Sequence, residues 1–104
     1  TLYTLVRELD KGKRVKLKVC GKQVRDFLSV NFLCSVIFKI LKLNKDVGIL
    51  NVCSGKKITL KKFILNILNN KKKIKYINMN GKNPNFFEPN MFWGNKKKLK
   101  KIIN

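Results

Sequence analysis

Twenty-five Lys and Arg residues stand against five Asp and Glu in a chain of 104, a formal charge of +20 that any folded state must carry on a single modest core. Taken alone, such an excess points to disorder. A hydrophobic content of 44 %, spread along the whole chain, points instead to a folded protein. No apolar stretch reaches the ~20 residues of a bilayer helix, so no membrane partner is expected. The chain opens at Thr1 without a basic segment followed by an apolar one. Nothing in these residues reads as a secretory signal, the start is read as processed or truncated, and the expected location is cytoplasmic.

The charge is almost all lysine. There are 22 Lys, 3 Arg, 13 Asn and 10 Ile, with no Ala, so that Lys, Asn and Ile make up 45 of the 104 residues. This is the usage of a genome that favours A/T-rich codons, and it makes the lysines weak evidence for function. Arginine, whose planar fork grips phosphate in a way lysine cannot reproduce, is the informative cation. Arg7, Arg14 and Arg25 are the three.

Several chemistries are excluded by what is missing. The chain has no His, so no Ser/His or Cys/His dyad can be built. Its acids, Glu8, Asp10, Asp26, Asp46 and Glu88, are scattered. Cys20, Cys34 and Cys53 are an odd set with no C-x-x-C, which suits reduced, partly buried thiols better than disulfides or zinc. Glycines at 12, 21, 48, 55, 81 and 94 are never closer than seven residues, too sparse for a dinucleotide fingerprint or a P-loop.

Apolar periodicity predicts the order α-β-β-α-β-α-β-α, a mixed α/β unit forming one domain over residues 1–104. Leu2, Leu5, Val6 and Leu9 give a first helix ending near Gly12, and Val15, Leu17 and Val19 alternate as a strand. Residues 24–30 read as a second short strand. Asn31 is the expected cap of a deeply buried helix carrying Leu33, Val36, Ile37, Phe38, Ile40, Leu41 and Leu43. Ile49, Leu50 and Val52 form a continuous run of the kind found in strands buried on both faces. Thr59 can cap a third helix with Leu60, Phe63, Ile64, Ile67 and Leu68 on one stripe, the clearest period in the chain. Residues 73–78 read as a weak strand, residues 79–94 as a long loop, and Asn95 as the cap of a last helix burying Leu99, Ile102 and Ile103.

Several segments are familiar. Val24-Arg25-Asp26-Phe27-Leu28-Ser29-Val30 before an apolar helix resembles the R-D-F-x-x-V segment of the NAD-dependent epimerase/dehydratases, extended short-chain dehydrogenase/reductases that act on nucleotide sugars. Upstream, Leu5-Val6-Arg7-Glu8-Leu9 with Lys11-Gly12-Lys13 and Val15-Lys16-Leu17 is similar to the family's helix and G-K-x-V/L-x-L strand. Downstream, Gly48-Ile49-Leu50-Asn51-Val52-Cys53-Ser54-Gly55 is similar to G-I-Y-N-V-G-S-G, with Lys57-Ile58-Thr59-Leu60-Lys61 following as the next helix start. Glu88-Pro89 through Gly94-Asn95 to Lys98-Leu99-Lys100-Lys101 resembles the family's closing segment. The resemblance spans nearly the whole chain.

It implies the carboxyl-terminal, substrate-binding part of a larger enzyme, without the Rossmann half, its NAD(P) or its catalytic Y-x-x-x-K. This segment is then expected to bind no cofactor alone and to supply no catalytic residue. The resemblance puts Arg25 on the diphosphate of the nucleotide sugar, Leu17 and Lys18 on the strand at the nucleobase, and Glu88 on the loop beside the nucleotide. Asn85, uncharged, falls where the family often has a second phosphate-binding arginine, so phosphate grip there would be weakened unless Lys82 substitutes. Phe32 replaces a helix-capping acid, and Cys53 replaces a glycine, an awkward change if that site needs positive φ. The partners implied are a nucleotide sugar and the missing Rossmann domain. From the residues alone, an alternative is a small basic nucleic-acid-binding module using Lys71 to Lys73 and Lys96 to Lys98, with Tyr76, Phe86, Phe87 and Trp93 for base stacking.

Overall fold

The computed structural model describes residues 2–81 and 89–104. In order, its elements are helix α1 (Leu2–Asp10), strands β1 (Val15–Lys16) and β2 (Val24–Arg25), helix α2 (Val30–Leu43), strand β3 (Ile58–Thr59), helix α3 (Leu60–Ile67), a 3-10 helix (Lys71–Tyr76), strand β4 (Ile77–Asn78) and helix α4 (Lys97–Ile103). The strands form two small sheets, β1 with β4 and β2 with β3. The mixed α/β class expected from the periodicity holds. The chain gathers into two compact units, one of Thr1–Val24 and Ile58–Met91, the other of Arg25–Lys57 and Phe92–Asn104.

The first unit is built on the helical stripes. Leu5 and Leu9 of α1, Ile64 of α3, Leu68 and Ile77 of β4 form one buried apolar cluster, with Leu2, Val15, Leu17, Leu60, Ile74 and Met79 packed around it. Each such side chain contributes about 1.5–3 kcal/mol on burial. Thr59 caps α3 as expected, its hydroxyl accepting from the Lys62 N–H at 3.2 Å. Helix α1 stops at Gly12, whose φ of 76° is left-handed and costs glycine little. β1 and β4 run parallel with Val15 opposite Ile77, and the Leu17 N–H extends the ladder by donating to the Asn78 carbonyl at 2.8 Å. On the outside, Glu8 gathers Lys13 at 3.2 Å and Lys11 at 3.5 Å. The Lys13 hydrogen bond is the main reason its carboxyl sits below the usual range.

The second unit pairs α2 with α4. Its fully buried side chains are Val36 and Leu99. Three expectations fail here. Helix α2 begins at Val30, capped by Ser29 and not by Asn31: the Ser29 hydroxyl accepts from the Phe32 N–H at 3.1 Å. A cap oxygen available at residue 29 converts the end of the anticipated 24–30 strand into a helix start. Nor is the helix deeply buried, since Phe38 is 59 % exposed and Val36 is its one buried residue. The run at 49–52 is not a strand: Ile49 is 92 % exposed. Asp46 accepts from the Gly48 N–H at 2.7 Å, and Gly48 has φ of 60°, so a tight turn leads into an extended loop.

Smaller shifts follow the same logic. Residues 71–76 wind into a 3-10 helix, started by Asn70, whose side chain accepts from the Lys72 N–H, so that of the strand expected over 73–78 Ile77–Asn78 forms. The cap position of helix α4 is Lys96, one residue later than the anticipated Asn95, whose side chain accepts from the Lys97 N–H at 3.0 Å.

Candidate functional site

Asp26 organises the second unit. The chain leaves β2 at Arg25, and the next carboxylate is half-buried among backbone donors. Asp26 Oδ1 accepts from the Ser54 N–H at 2.8 Å, and Oδ2 accepts from Gly55 at 2.8 Å and Gly94 at 3.1 Å. Burial alone would raise its pKa. The Ser54 hydroxyl and the N–H groups of Gly94, Ser54 and Gly55 outweigh that and hold the carboxyl below the ordinary aspartate value. Three segments far apart in sequence, 24–30, 48–55 and 92–95, thereby meet at one side chain.

The meeting is close-packed. A Cβ at Gly94 would lie 2.4 Å from Cys53 Cβ and 2.5 Å from its sulfur, so only glycine fits there. Cys53 is buried and reduced. It does not adopt positive φ, which among the described non-glycine residues occurs at Asn44 alone. The strain anticipated for a cysteine at this position is therefore not incurred. Gly55 does have positive φ, 69°, and the Lys96 stem runs across it, with Cδ 3.0 Å from where a Cβ would stand.

Cations and rings crowd these loops. The Arg25 guanidinium lies over Phe92 at 4.9 Å from its centroid, and Lys57 Nζ over Trp93 at 3.7 Å. Beside them is a cavity of about 290 Å³, lined by Phe27, Leu28, Ser29, Phe32, Ser54, Lys56 and Lys96. No acid is among those lining residues.

The residues expected to touch substrate are not brought together in this unit. Arg25 is in it. Leu17 and Lys18 belong to the first unit, where Leu17 packs against the apolar cluster. Lys18 is exposed, and Gly81 approaches its backbone so closely that a Cβ would stand 2.3 Å from the Lys18 carbonyl carbon. Asn85 and Glu88, with Lys82, Phe86 and Phe87, lie outside the described residues. The sequence reading passed over Lys56 and the true work of Asp26, and singled out Lys96 only within the lysine cluster of the nucleic-acid alternative. The only signal was a carboxylate followed at a distance by Ser54-Gly55 and Gly94, whose small residues leave backbone N–H groups reachable.

Among the described residues no group of three or more Cys, Asp or Glu could hold a metal ion, and no helix is long and apolar enough to cross a membrane. No protein-family model, curated protein or solved structure matches this chain.

Proposed function

We propose that the unit of Arg25–Lys57 and Phe92–Asn104 binds the diphosphate of a nucleotide sugar, as the substrate-side segment of an NAD(P)-dependent epimerase or dehydratase. One observation carries the reading. Asp26 ties the Arg25 segment to the Ser54-Gly55 and Gly94 loops, and these are the segments in which the sequence resembles that family. A guanidinium can rest on an aromatic ring through its face while its edge donors grip two phosphate oxygens, and Arg25 over Phe92 suits that use. The chemistry of epimerisation or dehydration, and the NAD(P) it requires, would be supplied from outside these residues, whose glycines are too widely spaced to cradle a pyrophosphate by backbone.

Calorimetric titration with a nucleoside diphosphate sugar at 150 mM salt tests the reading. Loss of one bidentate charge-assisted contact in Arg25→Ala weakens binding by about tenfold or more, whereas unchanged affinity rejects the role. Binding of single-stranded nucleic acid that is blind to sequence and falls steeply with salt would instead favour the nucleic-acid module. In that event Trp93 and Tyr76, exposed beside Lys57, Lys75 and Arg14, are the stacking platforms.

A further inference from the structure

The cavity lined by Phe27, Leu28, Ser29, Phe32, Ser54, Lys56 and Lys96 presents two cations and, among the described residues, no acid. Among the described residues, neither Lys56 nor Lys96 pairs with a carboxylate; Asp26, which precedes the lining residue Phe27, spends its oxygens on the N–H groups of Ser54, Gly55 and Gly94. Lys96 is not a freely waving surface lysine. It is half-buried, and its stem is laid along Gly55, with Cγ, Cδ and Cε 3.0–3.2 Å from where a Cβ would stand. Lys56 is set by a tight turn in which its N–H donates to the Ser54 hydroxyl at 3.0 Å. Two like charges held at the rim of one hollow repel each other unless an anion sits between them.

The other walls are of a different character. Phe27, Leu28 and Phe32 give the hollow an apolar side opposite in kind to the lysines. At about 290 Å³ it lies at the lower end of the range for small-molecule sites, roughly 300–1,000 Å³, too small for a dinucleotide or a whole nucleotide sugar. A phosphate attached directly to one ring matches both the size and the split lining.

We infer that this cavity is a binding site for a ring-bearing phosphomonoester, with the phosphate between Lys56 and Lys96 and the ring against Phe27 and Phe32. The site does not depend on Arg25 holding a diphosphate.

The test is a titration of the full chain with phenyl phosphate, and separately with inorganic phosphate, at 150 mM salt, followed by amide chemical shifts. Phenyl phosphate is expected to move the Ser54, Lys56 and Lys96 amides first and to bind more tightly than inorganic phosphate. Lys56→Met with Lys96→Met weakens it by tenfold or more. Lys71→Met with Lys72→Met, which removes the same charge from the other unit, changes it less than twofold, and Arg25→Ala likewise. The proposal is overturned if the two lysine pairs weaken binding equally, if shifts spread over lysines generally, or if Arg25→Ala alone abolishes binding. Should the cavity double variant lose its folded spectrum, Lys56→Met alone decides, because Lys56 is exposed; no loss of affinity there overturns the site. Arg25-dependent binding of a sugar nucleotide remains a separate outcome, so either reading can fail without the other.

Discussion

The two units solve the same problem with different materials. In the first, Leu5, Leu9, Ile64, Leu68 and Ile77 interlock from two helices and a strand, and charge stays at the rim, as with Lys73 on Asp10 at 2.9 Å. In the second, the buried set is only Val36, Leu99 and Cys53, and loops without regular structure are held by a carboxylate that accepts three backbone N–H groups. The contrast teaches why a chain with so few acids keeps one of them half-buried: without strands to pair the loops, their N–H groups need another acceptor. The apolar solution is indifferent to pH, while the polar one is not.

The largest effect that sharpens this contrast is Ile64→Ala. A fully buried isoleucine cut to alanine costs about 2–5 kcal/mol, and denaturant unfolding is expected to give nearly the same loss at pH 7 and at pH 3. Asp26→Ala comes next, at about 2–3 kcal/mol at pH 7 for the lost charge-assisted bonds, discounted for its partial exposure. Its pH dependence is the sharper measurement. A carboxyl whose folded pKa lies below its ordinary 3.8 stabilises the fold fully above that value, and the contribution fades as pH falls through the lower folded value. The gap between wild type and Asp26→Ala should therefore narrow on going from pH 6 to pH 2. A gap independent of pH would erase the distinction between the units. Smallest is Thr59→Ala, about 1 kcal/mol, expected to be flat with pH because no ionised group takes part.

How much of this could be read beforehand depends on the distance over which each element is decided. Helices α1 and α3, with the Thr59 cap, were legible because a stripe at 3.6-residue spacing and a hydroxyl three residues from its N–H are local facts. The end of α1 at Gly12 was legible for the same reason. The anticipated strand at 49–52 was a short apolar run, which carries no period, and the turn from Asp46 to Gly48 aimed Ile49 outward. The strands that do form are two residues long: β1, β2 and β4 fall within the runs expected at 15–19, 24–30 and 73–78, while β3 was not anticipated. Helix α2 misled in another way: its extra apolar residues implied deep burial, yet with α4 packed against it Phe38 and Leu41 stay exposed.

In the candidate site, the Arg25 segment could be singled out by arginine scarcity and by resemblance. The service that Asp26 performs could not, since its partners lie 28, 29 and 68 residues away.

From its residues alone this chain determined its charge, its lack of imidazole and clustered glycines, and its helical stripes, because composition and short-range periodicity need no partner. Tertiary structure decided which loops a single carboxylate would draw together, that Gly94 must lie bare against Cys53, and that Lys56 and Lys96 would share a hollow. Those depend on which N–H groups remain unpaired once the helices have formed, and that is known only when the rest of the chain is in place.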